Sequence, residues 1–196
     1  MSFVESGFAD PVRDAQSAFR AIMNALANPG TVQKLATPPA GLQLHAGLLA
    51  AALTLVDHDT PVWLSPRLRR NAALRDFLAF HTGAPLVEAP AQAAFALVDS
   101  ADDLPRLENF APGTDAYPDR STTIILAVPA LEGGPTFIAR GPGISEALQI
   151  APQGLPADFA AQWHQNGALF PRGVDLLLVT AEAVLGLPRT TRLLEG

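Results

Sequence analysis

The sequence predicts an α/β fold, a three-layer α/β/α sandwich built around a mixed sheet, and three observations carry that expectation. Residues 122–128 and 174–180 are continuous apolar runs with no polar face, the pattern of strands covered on both sides. Segments of helical periodicity alternate with the apolar runs, and a doubly buried sheet needs such a layer on each face. Gly133-Gly134 then turns the chain into residues 136–139, which pair most simply as a hairpin with 122–128 and make the sheet mixed.

Taken in order, Asp10-Pro11 reads as an N-cap followed by proline at the first helical position. Val12, Ala15, Phe19, Ile22, Met23 and Leu26 recur at helical spacing, and Asn28-Pro29-Gly30 ends the helix. Residues 37–41, with Pro38-Pro39, form a loop. Residues 44–56 are apolar nearly all round and predict a buried helix. Val62-Trp63-Leu64 is a short strand. Residues 70–81 form a second amphipathic helix with Leu74, Phe77 and Leu78 inward, broken at Thr82-Gly83-Ala84-Pro85. Residues 94–98 are a further strand, and 157–169 a third amphipathic helix. No internal repeat or linker is visible, so residues 1–196 are expected to form a single domain.

Composition narrows the function classes. Hydrophobic residues are 48% of the chain and charged residues 16%, against about 25% in ordinary globular proteins. That balance suits burial of part of the surface against a partner, and it equally suits an Ala- and Leu-rich coding bias. The net charge of −6 is the wrong sign for nucleic-acid binding, which depends on neutralising phosphates. No cysteine is present, which excludes disulfides, thiolate metal sites and cysteine nucleophiles. Residues 1–10 carry Glu5 and lack the apolar core of a signal peptide. The longest apolar stretch, 46–56, is too short to span a bilayer. A cytoplasmic protein without membrane contact is expected.

Few motifs bear chemistry. Asp57-His58-Asp59 sets two carboxylates around an imidazole at the end of the buried helix. That pattern could serve acid–base or metal work, but a polar exit to solvent, whose groups satisfy helix-end carbonyls, is the favoured reading. His45, His81 and His164 are isolated and lack metal-ligand spacing, so no metal is expected. Gly141-Pro142-Gly143-Ile144 lacks the phosphate-loop patterns, and Pro142 removes a donor; it reads as a turn. The densest polar stretch runs from Gly113 to Thr122 and contains Tyr117, Asp119 and Arg120. It enters its strand from the amino side, which favours an interface or a structural Asp119–Arg120 contact over an active-site loop. Lys34 is the sole lysine and follows the first helix stop, so a pyridoxal phosphate Schiff base is not expected. Asp57, His58, Asp59, Tyr117, Asp119, Arg120 and Arg172 are the candidate ligand or interface residues; none is assigned a catalytic, cofactor-binding or metal role.

An ordered set of short blocks adds a specific resemblance. Gly7-Phe8-Ala9-Asp10-Pro11-Val12, Asn28-Pro29-Gly30 and Asp57-His58-Asp59-Thr60-Pro61-Val62-Trp63-Leu64 open the series. Phe80-His81-Thr82-Gly83, the Gly113-Thr114 and Tyr117-Pro118-Asp119-Arg120-Ser121 pair, and Gly141-Pro142-Gly143-Ile144 follow. Phe170-Pro171-Arg172-Gly173-Val174-Asp175 and Gly186-Leu187-Pro188-Arg189-Thr190-Thr191 complete it. Over essentially its whole length the chain resembles the PhnH family of the carbon–phosphorus lyase system. The resemblance implies a fold related to pyridoxal-phosphate-dependent transferases with the cofactor site not retained, and a homodimer that joins the other core subunits. It also implies a part in the step where an alkylphosphonate displaces adenine from ATP to give a ribose 1-alkylphosphonate 5-triphosphate. It assigns no catalytic residue to this chain. Two other readings stay open: a purely structural scaffold of that complex, and a free-standing small-molecule enzyme using Asp57, His58 and Asp59.

Overall fold

The computed structural model describes residues 7–38 and 45–196. The expected helix start at Leu44 and most of the 37–41 loop lie outside these residues. The first helix, α1 (Pro11–Ala27), begins as its sequence dictates: Asp10 accepts from the Arg13 amide at 3.1 Å, and Pro11 holds the first position. Strand β1 (Val32–Lys34) follows, then α2 (Ala46–Leu55), β2 (Val62–Leu64), α3 (Pro66–Arg70), α4 (Ala72–His81) and β3 (Leu86–Val87). The chain continues through β4 (Phe95–Val98), β5 (Thr123–Ala127), β6 (Phe137–Arg140) and β7 (Leu148–Ile150). It ends with α5 (Phe159–Gly167), β8 (Asp175–Val179), β9 (Ala183–Leu187) and β10 (Arg192–Glu195).

Among the described residues seven strands make one sheet in the order β1-β9-β8-β5-β4-β2-β3. Strands β3, β2, β4, β5 and β8 are parallel neighbours, while β9 runs antiparallel to both β8 and β1. The sheet is mixed as expected, but for another reason. Residues 136–139 do not pair with β5, whose two edges are already occupied by β4 and β8. They form β6, the middle strand of a separate antiparallel sheet, β10-β6-β7.

Two hydrophobic clusters flank the large sheet. One joins it to α1, α2, α3 and α4, as expected for a helical layer. On the other face α5 shares the cover with the small sheet and irregular segments, so that layer is only partly helical. The buried stripe of α1 also departs from the periodicity reading. Ala18, Ala21, Ile22 and Ala25 face inward, whereas Val12, Phe19 and Met23 are exposed. The helix lies too close to β9 for large side chains: a Cβ on Gly186 would stand 2.7 Å from the Ala25 carbonyl. At that close approach small residues take the interior, while Ala15, Ile22 and Leu26 of the expected stripe still pack against the core.

The topology creates a crevice. From β2 the chain leaves through α3 and α4 on the first face, with Leu68, Leu74, Phe77 and Leu78 in its core. From β4 it leaves over the opposite face, where Leu107 and Phe110 are buried. Adjacent parallel strands whose connections depart to opposite faces leave a gap at their carboxyl ends, the place where open α/β sheets hold ligands.

Candidate functional site

The sequence candidates all fall at the other, amino edge of the parallel strands or outside it. Asp57-His58-Asp59 lies in the turn before β2. The His58 and Asp59 side chains are 78% and 83% exposed, with His58 Nε2 3.3 Å from Asp59 Oδ2. Asp57 closes the turn on itself: its Oδ1 accepts from the Asp59 amide at 3.0 Å, and its own amide donates to Thr60 Oγ1 at 2.7 Å. The expected link to helix-end carbonyls is not formed by these contacts.

The Gly113–Thr122 stretch and Arg172 are brought together at the amino ends of β5 and β8. Arg172 Nε stands 3.0 Å from Asp115 Oδ1, an ion pair rather than a directed hydrogen bond. The Arg120 guanidinium lies 4.2 Å over the exposed Tyr117 ring, a cation–π contact. Among the described residues Arg120 makes no ion pair with Asp119, contrary to the structural contact expected from sequence. The organising group of this edge is one that sequence reasoning passed over, Arg189. Its Nε donates to Asp175 Oδ1 at 3.1 Å and its Nη1 to the Pro118 carbonyl at 2.7 Å, while Nη2 reaches Asp175 Oδ2 and Ser121 Oγ. Asp175 opens β8, and Ser121 lies two residues before β5, so one planar fork ties both strand ends together. Its signal was available: Arg189 stands within the Gly186-to-Thr191 block just beyond an apolar run. With its donors engaged by protein acceptors and its side chain 12% exposed, it is a structural clamp.

The carboxyl edge is built differently. An open cleft of about 790 Å³ lies beyond β2, β4, β5 and β8, walled by His45, Arg67, Asp99, Asp102, Pro156 and Thr180 among others. Asp99 follows β4 and accepts from Ser65 Oγ at 2.7 Å and from Arg67 Nε. The carboxylate is nearly buried at 11% side-chain exposure, while Arg67 remains 61% exposed and presents part of its guanidinium to the cleft. His45 is the N-cap of α2 and makes no side-chain capping bond. Its Nδ1 is buried with no hydrogen-bond partner among the described residues. Burial holds its pKa below the ordinary imidazole value, and the nearby negative charge of Asp99 pulls more weakly the other way. A neutral imidazole and a half-exposed guanidinium can together orient an anionic or hydrogen-bonding group. Among the described residues no cluster of three or more His, Cys, Asp or Glu side chains is arranged to hold a metal ion. No described helix is long and apolar enough to cross a membrane.

Comparison with known proteins places these features in a lineage. Residues 6–194 match the family model described as bacterial phosphonate metabolism protein (PhnH). The chain is 51% identical, over 189 residues, to the alpha-D-ribose 1-methylphosphonate 5-triphosphate synthase subunit PhnH of Rhizobium meliloti (strain 1021), covering 95% of this chain and 93% of that protein. It is 32% identical over 181 residues to the putative C-P lyase subunit protein HtxG of Stutzerimonas stutzeri, covering 91% and 85%. A match spanning nearly every described element, at such identity, leaves one conclusion: the chain belongs to the PhnH family of bacterial phosphonate metabolism proteins.

Proposed function

We propose that the chain is a subunit of the carbon–phosphorus lyase core complex and supports transfer of an alkylphosphonate onto ATP. Adenine leaves, and a ribose 1-alkylphosphonate 5-triphosphate is formed. The observation that carries this reading is the near-complete span of the relationship to a synthase subunit. The chain's part is supportive rather than catalytic. In favour of that, the densest polar constellation has its central guanidinium turned onto the protein's own acceptors, and Asp57-His58-Asp59 stands open to water. We further propose a cytoplasmic homodimer in isolation, a single domain over residues 1–196, and kinship with the pyridoxal-phosphate transferase fold without its cofactor. In keeping with the last, Lys34 sits on edge strand β1, away from the carboxyl-edge cleft.

The test is adenine release from ATP and methylphosphonate. With the other core subunits present, adding this chain is expected to restore release, and the chain alone is expected to be inert. Release by the isolated chain would make it an enzyme in its own right. Full release without it would remove it from this step.

A further inference from the structure

We infer that the outer face of the small sheet, with the groove beside it, docks an acidic surface of another core subunit that carries an apolar side chain. This rests on the complex membership proposed above. In the ladder between β10 and β6, Arg192 stands directly opposite Arg140. Side chains so placed are near neighbours, and like charges there oppose one another. Among the described residues neither guanidinium has an ion pair or hydrogen bond. The groove alongside, about 460 Å³, has Trp163, Thr191 and Leu193 in its lining and Phe170 on its rim. Arg140 and Arg192 line the smaller hollow continuous with it through Pro142 and Leu194. Among the described residues no carboxylate lines either space. In a chain of net charge −6 this is a local reversal of sign, and such a patch steers and selects an oppositely charged partner.

The occupant must satisfy both halves of the surface. Leu194 is 58% exposed and Phe170 64% exposed, so the cationic pair stands within an apolar patch. A small anion would neutralise the arginines and leave those side chains in water. A second copy packed face to face would bring the same arginines together, since a two-fold contact sets a patch against itself. A protein surface with carboxylates around an apolar side chain covers everything, and arginine and aromatic residues are the usual anchors of such contacts.

The experiment co-expresses the tagged chain with the other core subunits and measures what co-purifies at low and high salt. Arg140→Glu replaces a like-charged cross-strand pair by an opposite-charged one. The isolated variant is expected to melt at the wild-type temperature or above, while recovery of the partners falls at least about tenfold. Leu194→Asp is expected to lower recovery likewise. Should Arg140→Glu melt early, Arg192→Gln, which only removes a charge, takes its place with the same expected loss. Wild-type recovery by folded variants overturns the docking face. So does normal assembly combined with lost binding of ATP or methylphosphonate by calorimetry, which would make the patch a small-anion site. If the wild-type chain itself recovers no partner, complex membership falls and the docking face falls with it.

Discussion

At the amino ends of β5 and β8, Arg189 is enclosed by Asp175, Ser121 and a carbonyl, whereas at the carboxyl ends of β2 and β4 Arg67 grips Asp99 with its Nε and leaves much of its guanidinium to solvent. The first arrangement consumes the donors of the guanidinium internally; the second leaves some free beside a cleft and a neutral imidazole. The same residue type thus serves architecture at one edge and remains open to a ligand at the other. Burial and topology decide which, since the gap between strand connections opens only at the carboxyl edge.

The sharpest way to break this comparison is Arg189→Met. It leaves Asp175 and Ser121 without their donor at a nearly buried site, and breaking a buried pair from one side costs about 3–5 kcal/mol. Partial exposure places the expected loss near the lower figure, read as a fall in urea midpoint at unchanged slope. A loss below about 1 kcal/mol would mean that water replaces the clamp, and the amino edge would then be no more structural than the carboxyl edge.

Gly47→Ala probes the carboxyl edge in the same currency. Gly47 lies in the first turn of α2, where a Cβ would stand 2.1 Å from the Thr180 carbonyl oxygen. Alanine in a helix gains about 1 kcal/mol over glycine, while overpacking against neighbours costs about 1–3 kcal/mol. The obstructing atom is backbone and cannot rotate away, so overpacking wins, and a net loss of up to about 2 kcal/mol is expected in thermal or urea unfolding. A stabilised variant would show that the edge yields and that the cleft is less firmly walled than its geometry implies.

Much of this architecture was legible in the sequence. The capped first helix, the buried second helix, the Leu74–Phe77–Leu78 stripe and the central strands all follow from period, caps and apolar runs. What escaped depends on distant partners. Strands of two or three residues such as β1, β3 and β7 are too short for period to register. The role of residues 136–139 was settled by β10, more than fifty residues later, and by the lack of a free edge on β5. Periodicity found Ile22 on the inward face of α1 but missed the alanines beside it, which sit there because Gly186 brings the helix close. The site was less legible still. Asp57, His58 and Asp59 stand out as letters but lie in water, while Arg67, Asp99 and His45 are unremarkable letters gathered by topology.

His45 sharpens the comparison through pH. Its folded pKa is lowered, chiefly by burial. Above about pH 7 the imidazole is neutral in both states and costs nothing. As pH falls through about 6.5, the unfolded chain takes up a proton first and stability declines. The decline levels off once the folded pKa is passed. His45→Gln lacks this component, so its melting temperature should fall less than that of the wild type between about pH 7.5 and 5. The other histidines are common to both proteins and cancel in the difference. Parallel curves would show that His45 is solvated in the folded state and that the cleft wall is wetter than its burial indicates.

The smallest effect is expected at His58, and there the chemical and structural readings of Asp57-His58-Asp59 part most cleanly. The imidazole is 78% exposed, and its contact in the cluster is an equally exposed carboxylate 3.3 Å away. Exposed ion pairs contribute about 0–1 kcal/mol, and surface substitutions away from special features usually stay within about 0.5 kcal/mol. The turn itself is held by Asp57 and Thr60, which His58→Ala leaves in place. Melting temperature, assembly and adenine release by the reconstituted complex are therefore all expected to remain close to wild type. A general acid or base would behave otherwise: its removal lowers turnover by about 10²–10⁴-fold with the fold intact. A hundredfold loss of adenine release in a normally melting, normally assembling variant would give this chain a chemical role at the amino edge, against the supportive one proposed above. The exposed turn, not the carboxyl-edge cleft, would then be where this chain meets a substrate.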